Sequence, residues 1–185
     1  VTPRVVLAAA VWLALLGVVG YRSYAFETAA GAAAPSPDRW PAGSALPAAR
    51  DRATVVMFAH PECSCTAASL SELAGLVAEL ADPPRVLVVF TADPAGSDNW
   101  QAAGRIPGAL RLRDDGREAQ LFGARTSGHV FVYDAAGARR FTGGVTGARG
   151  DVGDNVGRRA ALAALRGQPG EARHGVFGCS LEATR

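Results

Sequence analysis

Two short apolar runs flanking one amphipathic stretch constrain this chain more than anything else in it. Thr54-Val55-Val56-Met57-Phe58-Ala59 is β-rich and mostly apolar, the pattern of a strand buried on both faces. His60-Pro61-Glu62 and Cys63-Ser64-Cys65-Thr66 follow. From Ala67 to Leu80, residues Leu70, Leu73, Val77 and Leu80 recur at three- and four-residue spacing, which predicts a helix with one core-facing stripe. Asp82-Pro83-Pro84 stops it, because the residue before a proline is pushed out of helical conformation. Val86 to Thr91, VLVVFT, is a second buried strand. Strand, helix, strand is a βαβ unit, and its crossover requires the two strands to run parallel.

The second half continues with shorter elements. The pattern predicts a short helix over Asp98 to Ala103, a strand over Ala109 to Arg113 and a helical turn or two over Arg117 to Gly123. Val130-Phe131-Val132-Tyr133 reads as a strand, Asp134-Ala135-Ala136-Gly137 as a turn and Arg139 to Thr142 as its hairpin partner. A helix from about Asn155 to Leu165, capped by Asp154 or Asn155, closes the order.

Ahead of all this stands an uncharged apolar run from Val5 to Tyr21, between Arg4 and Arg22. At 1.5 Å per residue it spans about 25 Å, and Tyr21, Tyr24 and the stem of Arg22 extend it into the interface. It predicts one N-terminal transmembrane helix. Arg4 and the amino terminus put positive charge on the near side, so the expected orientation leaves the rest of the chain outside the cytoplasm. A cleaved signal segment is the competing reading, which exports the domain equally. The expected organisation is a membrane anchor or signal segment over 1–26, an Ala/Pro-rich linker over 27–52 with Trp40 and Leu46 packing on the domain edge, and an α/β domain over 53–185.

Composition narrows the function classes. With 49% hydrophobic residues the chain is no disordered tail, and three cysteines are too few for a disulfide-stapled miniprotein. Net charge is only +2, so no nucleic-acid partner is expected. The basic residues are all Arg, which beside so much Ala, Gly and Val reflects biased composition rather than a phosphate-binding design.

The position of the cysteines carries the chemistry. Cys63 falls where a buried strand ends and a helix begins, and the unpaired first-turn N–H groups of that helix favour a thiolate over a thiol. His60, three residues earlier, is a candidate proton partner. Cys179, in Val176-Phe177-Gly178-Cys179, lies in a tail apolar enough to fold back, as a resolving thiol or a third metal ligand. The alternative for all three is inert packing. His174, in a polar stretch, is expected to be exposed. Gly143 to Asn155 is glycine-rich but is neither a P-loop nor an EF-hand, so it reads as a connection in which Arg149 would present a charge near the site.

MFAHPECSC before a helix, then VLVVFTAD, FGARTSGHVFVYDAAGARRFTGGVTGARGDVGDN and a terminal VFGC together resemble the thioredoxin superfamily. More narrowly, HPxCxC, TSGHVFVYD and VFGC are similar to the membrane-anchored bacterial RedB-like thioredoxin-like proteins. The resemblance implies a thioredoxin-like α/β fold, a central mixed sheet flanked by helices. It also implies a thiol–disulfide oxidoreductase acting on protein thiol and disulfide clients without a cofactor, anchored in the cell membrane by a single span on the periplasmic side.

Two departures from that family bear on mechanism. Its redox motif is CxxC, whereas here the pair is Cys63-x-Cys65 with Thr66 at the second-cysteine position. Residues i and i+2 on a helix point about 200° apart, so a Cys63–Cys65 bond needs Cys63 outside the helix proper. The family's cis-proline before the hairpin is replaced, in Thr126-Ser127-Gly128-His129, by Gly128. Ser127, Gly128 and His129 are then the expected docking segment; His129 is read as the start of a core strand, with a position facing the thiols as the alternative. The rival reading is a copper(I) or other metal module using Cys63, Cys65, His129 and Cys179. A third is a non-catalytic interaction domain. A thiol peroxidase is disfavoured, since no Thr-x-x-Cys stands at the junction.

Overall fold

Alternation along the strands decides how the layers form. The computed structural model describes residues 2–181, so the last four residues of the expected domain, 182–185, lie outside the described residues. The order is α1 (Pro3–Thr28), β1 (Thr54–Ala59), α2 (Ser64–Ala78), β2 (Arg85–Phe90), α3 (Asp98–Ala103), β3 (Ala109–Arg113), α4 (Arg117–Phe122), β4 (His129–Tyr133), β5 (Arg139–Gly143) and α5 (Val156–Leu165). Val55, Met57, Val130 and Val132 send their side chains to the face covered by Leu70, Leu73 and Leu76 of α2 and by Ala161 of α5. Val56, Phe58, Phe131 and Tyr133 go to the opposite face, against Phe122 of α4 and against Trp40.

One five-stranded mixed sheet results, in the order β3-β2-β1-β4-β5. β1 pairs parallel with β2, as the βαβ reading requires, and β2 parallel with β3. β4 runs antiparallel to β1 and to β5, forming the expected hairpin. Central placement of β1 and β2 explains why both are apolar on every residue but the first of each: both their faces are covered. Beneath the sheet, Arg158 of α5 reaches Glu72 of α2 at 2.9 Å, a largely buried ion pair that fixes the two helices side by side. Asn155 caps α5 by accepting from Arg158 N–H.

Two element bounds differ from the sequence reading in ways that matter. α2 begins at Ser64, three residues before the expected start at Ala67, because Cys63 takes the extended N-cap conformation and its carbonyl accepts from Thr66 N–H at 3.0 Å. α1 runs past Tyr21 to Thr28; it is long and apolar enough to cross a membrane, and none of its residues is buried.

The segment expected to act as a linker is bonded to the domain at several points. Gly31 N–H donates to Val176 O at 2.8 Å, Arg139 Nε to Pro37 O at 2.9 Å, and Trp40 N–H to Gly137 O at 2.8 Å. Trp40 packs edge-on against Phe122 and Tyr133, each at 5.2 Å between ring centres, as expected for the domain edge.

Candidate functional site: a three-thiol cluster at the start of α2

Cys63 is the N-cap of α2, reached from β1 through His60, Pro61 and Glu62, so its sulfur sits at the helix N-terminus. The loop that delivers it is tied from three sides. Asn99 of α3, itself buried, donates through Nδ2 to Pro61 O at 2.8 Å and Cys63 O at 2.9 Å. Ser127 Oγ accepts from His60 N–H at 2.9 Å and lies 2.7 Å from Thr66 Oγ1. His60 Nδ1 accepts from Glu62 N–H at 3.2 Å, so its ring caps the turn ahead of the cysteines.

The tail folds back as expected. Thr126 and Ser180 form an antiparallel bridge, Ser127 N–H donates to Cys179 O at 2.8 Å, and Leu181 N–H to Arg125 O at 2.9 Å. Gly178 has no room for a side chain, since a Cβ there would stand 2.0 Å from Ser127 O. This ladder brings Cys179 to Cys63 and Cys65, and the three sulfurs lie within 4.8 Å of one another. All three are free thiols; Cys63 is buried, Cys65 half-buried and Cys179 exposed.

Their environments separate the two outer members of this group. Burial pushes the Cys63 thiol up, but hydrogen bonds from the Cys179 thiol and backbone N–H, the Thr66 hydroxyl and the Cys65 N–H outweigh it, and the net direction is down. Cys179 goes the other way. Burial, then hydrogen bonding and charge at Cys63, then charge at Cys65, push it up to about 12, with Arg149 acting against them. Cys63 therefore ionises before Cys179, whose thiol hydrogen bonds to the Cys63 sulfur. Beside Cys63 lies a cleft of about 510 Å³, lined by Glu62, Ser64, Ala67, Asp93 and Asn99 among others.

Ser127 and Gly128 stand at the site, but His129 does not join the sulfurs. Alternation along β4 puts Val130 and Val132 on the α2 face and sends His129 to the opposite one. Its ring stacks on Phe131 with centres 4.2 Å apart, and Nε2 lies 2.8 Å from Thr142 Oγ1. The reading of His129 as the start of a core strand holds, since β4 begins there and the residue is buried; the alternative that it faces the thiols, and its place in a metal set with Cys63, Cys65 and Cys179, are corrected. His174 is likewise half-buried rather than exposed, against Gly157 and near Phe177. Gly128 takes φ +87°, a conformation closed to proline, and no peptide bond among the described residues is cis. Asn99 escaped the sequence reading altogether, since one Asn in a short helix carries no signal before the fold brings it under the loop.

No protein-family model matches this sequence, and no curated protein matches it. Solved structures do resemble it. An uncharacterized conserved protein from Geobacillus kaustophilus aligns at a TM-score of 0.60 with 24% identity, covering 85% of this chain and 93% of that one. A hypothetical protein from Sinorhizobium meliloti 1021 aligns at 0.57 with 22% identity, covering 84% and 95%. The pneumococcal exposed lipoprotein thioredoxin from Streptococcus pneumoniae overlaps less, at 0.46 with 22% identity, covering 64% and 86%. The sheet order, the cysteine at the β1–α2 junction and the closing antiparallel hairpin settle the architecture. The fold is thioredoxin-like. At these identities the likeness concerns the fold alone.

Proposed function

We propose that this chain is a membrane-anchored thiol–disulfide oxidoreductase in which Cys63 attacks and Cys179 resolves. The observation that carries this reading is the cluster itself: three free sulfurs within 4.8 Å, one acidified and one holding the proton beside it. The Cys63 thiolate attacks one sulfur of a client disulfide, forming a mixed disulfide and releasing the other client sulfur as a thiolate. Cys179 then gives its proton to that leaving thiolate. Its own thiolate attacks Cys63 Sγ, expels the second client sulfur and closes a Cys63–Cys179 disulfide. Two electrons pass from the protein dithiol to the client disulfide, and the reverse sequence oxidises a client dithiol. No bound cofactor enters the exchange.

Cys65, in the first turn of α2, is the alternative resolving thiol, and Cys63 at the N-cap meets the geometric condition for pairing with it. His60 serves as a loop-shaping residue next to the thiolate, and Ser127 and Gly128 present the backbone on which a client segment docks. HPxCxC, TSGHVFVYD and VFGC support a narrower kinship with RedB-like proteins. The apolar α1 and Arg4 before it support a single-pass anchor with the domain on the extracytoplasmic, periplasmic side.

The test is exchange with a protein disulfide such as insulin, measured on the full chain and on three single variants. Cys63→Ser abolishes exchange with the fold retained. Cys179→Ser stalls at the mixed disulfide, and Cys65→Ser does not. Full activity of Cys63→Ser contradicts the assignment.

A second reading is favoured by the same sulfurs. Three thiolates at this separation form a soft donor set that fits copper(I), with the buried Cys63, the half-buried Cys65 and the exposed Cys179 as the residues that would hold it. Such an ion would make the site a metal carrier rather than an electron relay. Copper(I) bound stoichiometrically by the reduced protein, lost in Cys65→Ser and kept in His129→Ala, is the result that favours this reading.

A further inference from the structure

Arg149 lies in the glycine-rich connection between β5 and α5, where it joins two parts of the chain remote in sequence. Its Nη1 donates to the carbonyl of Gly178, the residue before Cys179. Its Nε donates to Phe26 O at 3.0 Å and its Nη2 to Ala29 O at 3.5 Å, while its backbone N–H donates to Glu27 O at 3.0 Å. The guanidinium also lies over the Phe26 ring, 4.6 Å from its centre. These partners end the apolar helix α1 and begin the segment that leaves it. Two further bonds reinforce the junction: Gly31 N–H to Val176 O at 2.8 Å, and Thr126 Oγ1 to Ala32 O at 3.0 Å.

Building on the dithiol reading above, we propose that Arg149 is a positioning residue that sets the resolving thiol Cys179 against the exit of the membrane helix. Only a guanidinium serves here. It is charged at every working pH, and its fork of donors reaches carbonyls on two segments at once, which a lysine ammonium on a single flexible stem does not reproduce. The tail is gripped from the other side by Ser127 N–H on Cys179 O, so Gly178-Cys179 is held between the docking loop and Arg149. Because the same side chain binds the carbonyls of Phe26 and Ala29, the placement of the resolving sulfur depends on the juxtamembrane segment.

The test uses the full chain in detergent and has two arms. In the first, amide exchange of residues 26–32 and 176–181 is followed by mass spectrometry with and without Arg149→Met. Both segments exchange severalfold faster in Arg149→Met, because the carbonyls of Phe26, Ala29 and Gly178 lose their shared donor; unchanged exchange in either segment overturns the proposal. In the second arm, all cysteines are present and closure of the Cys63–Cys179 disulfide is timed after Cys63 is loaded with a small disulfide probe. Arg149→Lys slows closure relative to loading by about tenfold, the scale on which a displaced reacting group loses rate; closure at the original ratio overturns the proposal. If Arg149→Met does not fold, Arg149→Lys decides through the second arm. If Cys63 and Cys179 never pair in the unsubstituted protein, the dithiol reading falls, and the first arm alone decides the role of Arg149.

Discussion

Thr66 Oγ1 stands 2.7 Å from Ser127 Oγ, joining the first turn of the cysteine helix to the loop before β4. Thr66 occupies the place where a CxxC motif would carry its second cysteine. Instead of a sulfur, the chain puts there a hydroxyl that supports Cys63 and ties down the loop before β4. In the proposed exchange the partner sulfur comes from the tail.

Thr66→Val therefore removes a hydrogen bond that favours the Cys63 thiolate. The Cys63 thiol pKa rises, and Cys63 alkylation near neutral pH slows severalfold. The buried Ser127 hydroxyl loses one of its two partners and keeps His60 N–H, at a cost of about 1–2 kcal/mol in stability. The pH profile of Cys63 alkylation, with denaturant unfolding alongside, checks both.

Gly128→Pro would install the residue expected at this position in the wider family, and it fails here. Proline cannot take φ +87°, and it loses the N–H that donates to Phe58 O at 2.8 Å. We expect a loss of about 3 kcal/mol or more in unfolding free energy. Gly128→Ala, whose Cβ would meet Ser69 Oγ at 2.6 Å, loses about 1–3 kcal/mol. Equilibrium denaturation of both variants reads these values.

Asn99→Ala leaves the Pro61 carbonyl without its buried donor and the Cys63 carbonyl with Thr66 N–H alone. Stability falls by about 1–3 kcal/mol, the range for an orphaned buried acceptor. Amide exchange quickens locally in residues 60–66 while the strands keep their protection. Hydrogen-exchange mass spectrometry checks this pattern.

Acid weakens the fold through His129. Burial, then the charge of Arg139, lowers its pKa from 6.5 to about 4. Between those values the unfolded chain binds a proton that the folded chain refuses, so stability rises with pH through this window. The contribution is fully present above about pH 6.5 and is lost as pH falls toward 4, by about 3 kcal/mol in all. Unfolding measured at pH 7 and pH 4.5 shows the slope, and His129→Phe flattens it.

Much of this architecture was legible because burial leaves a period-two or three-to-four pattern. β1, α3 and β3 begin and end where Thr54 to Ala59, Asp98 to Ala103 and Ala109 to Arg113 predicted. Folding back of Cys179 was legible as an apolar tail. Backbone partners were not: Ala and Pro between residues 27 and 52 look like a linker because Gly31 N–H and Pro37 O leave no mark in side-chain composition. Asn99 and Arg149 act through carbonyls, which every residue has, so the sequence offers nothing that selects their targets. His129 was legible as the start of a core strand, but not its face: only once the structure puts Val130 and Val132 on the α2 side does alternation send it away from the thiols.

The most direct measurement is a redox titration of the full chain in detergent, read by thiol alkylation, intact mass and peptide mapping. The account predicts that two alkylation sites vanish together at one defined potential, and that mapping joins the peptide of Cys63 to that of Cys179. Three thiols that remain alkylatable until harsh oxidation, or a couple that excludes Cys63, would contradict it.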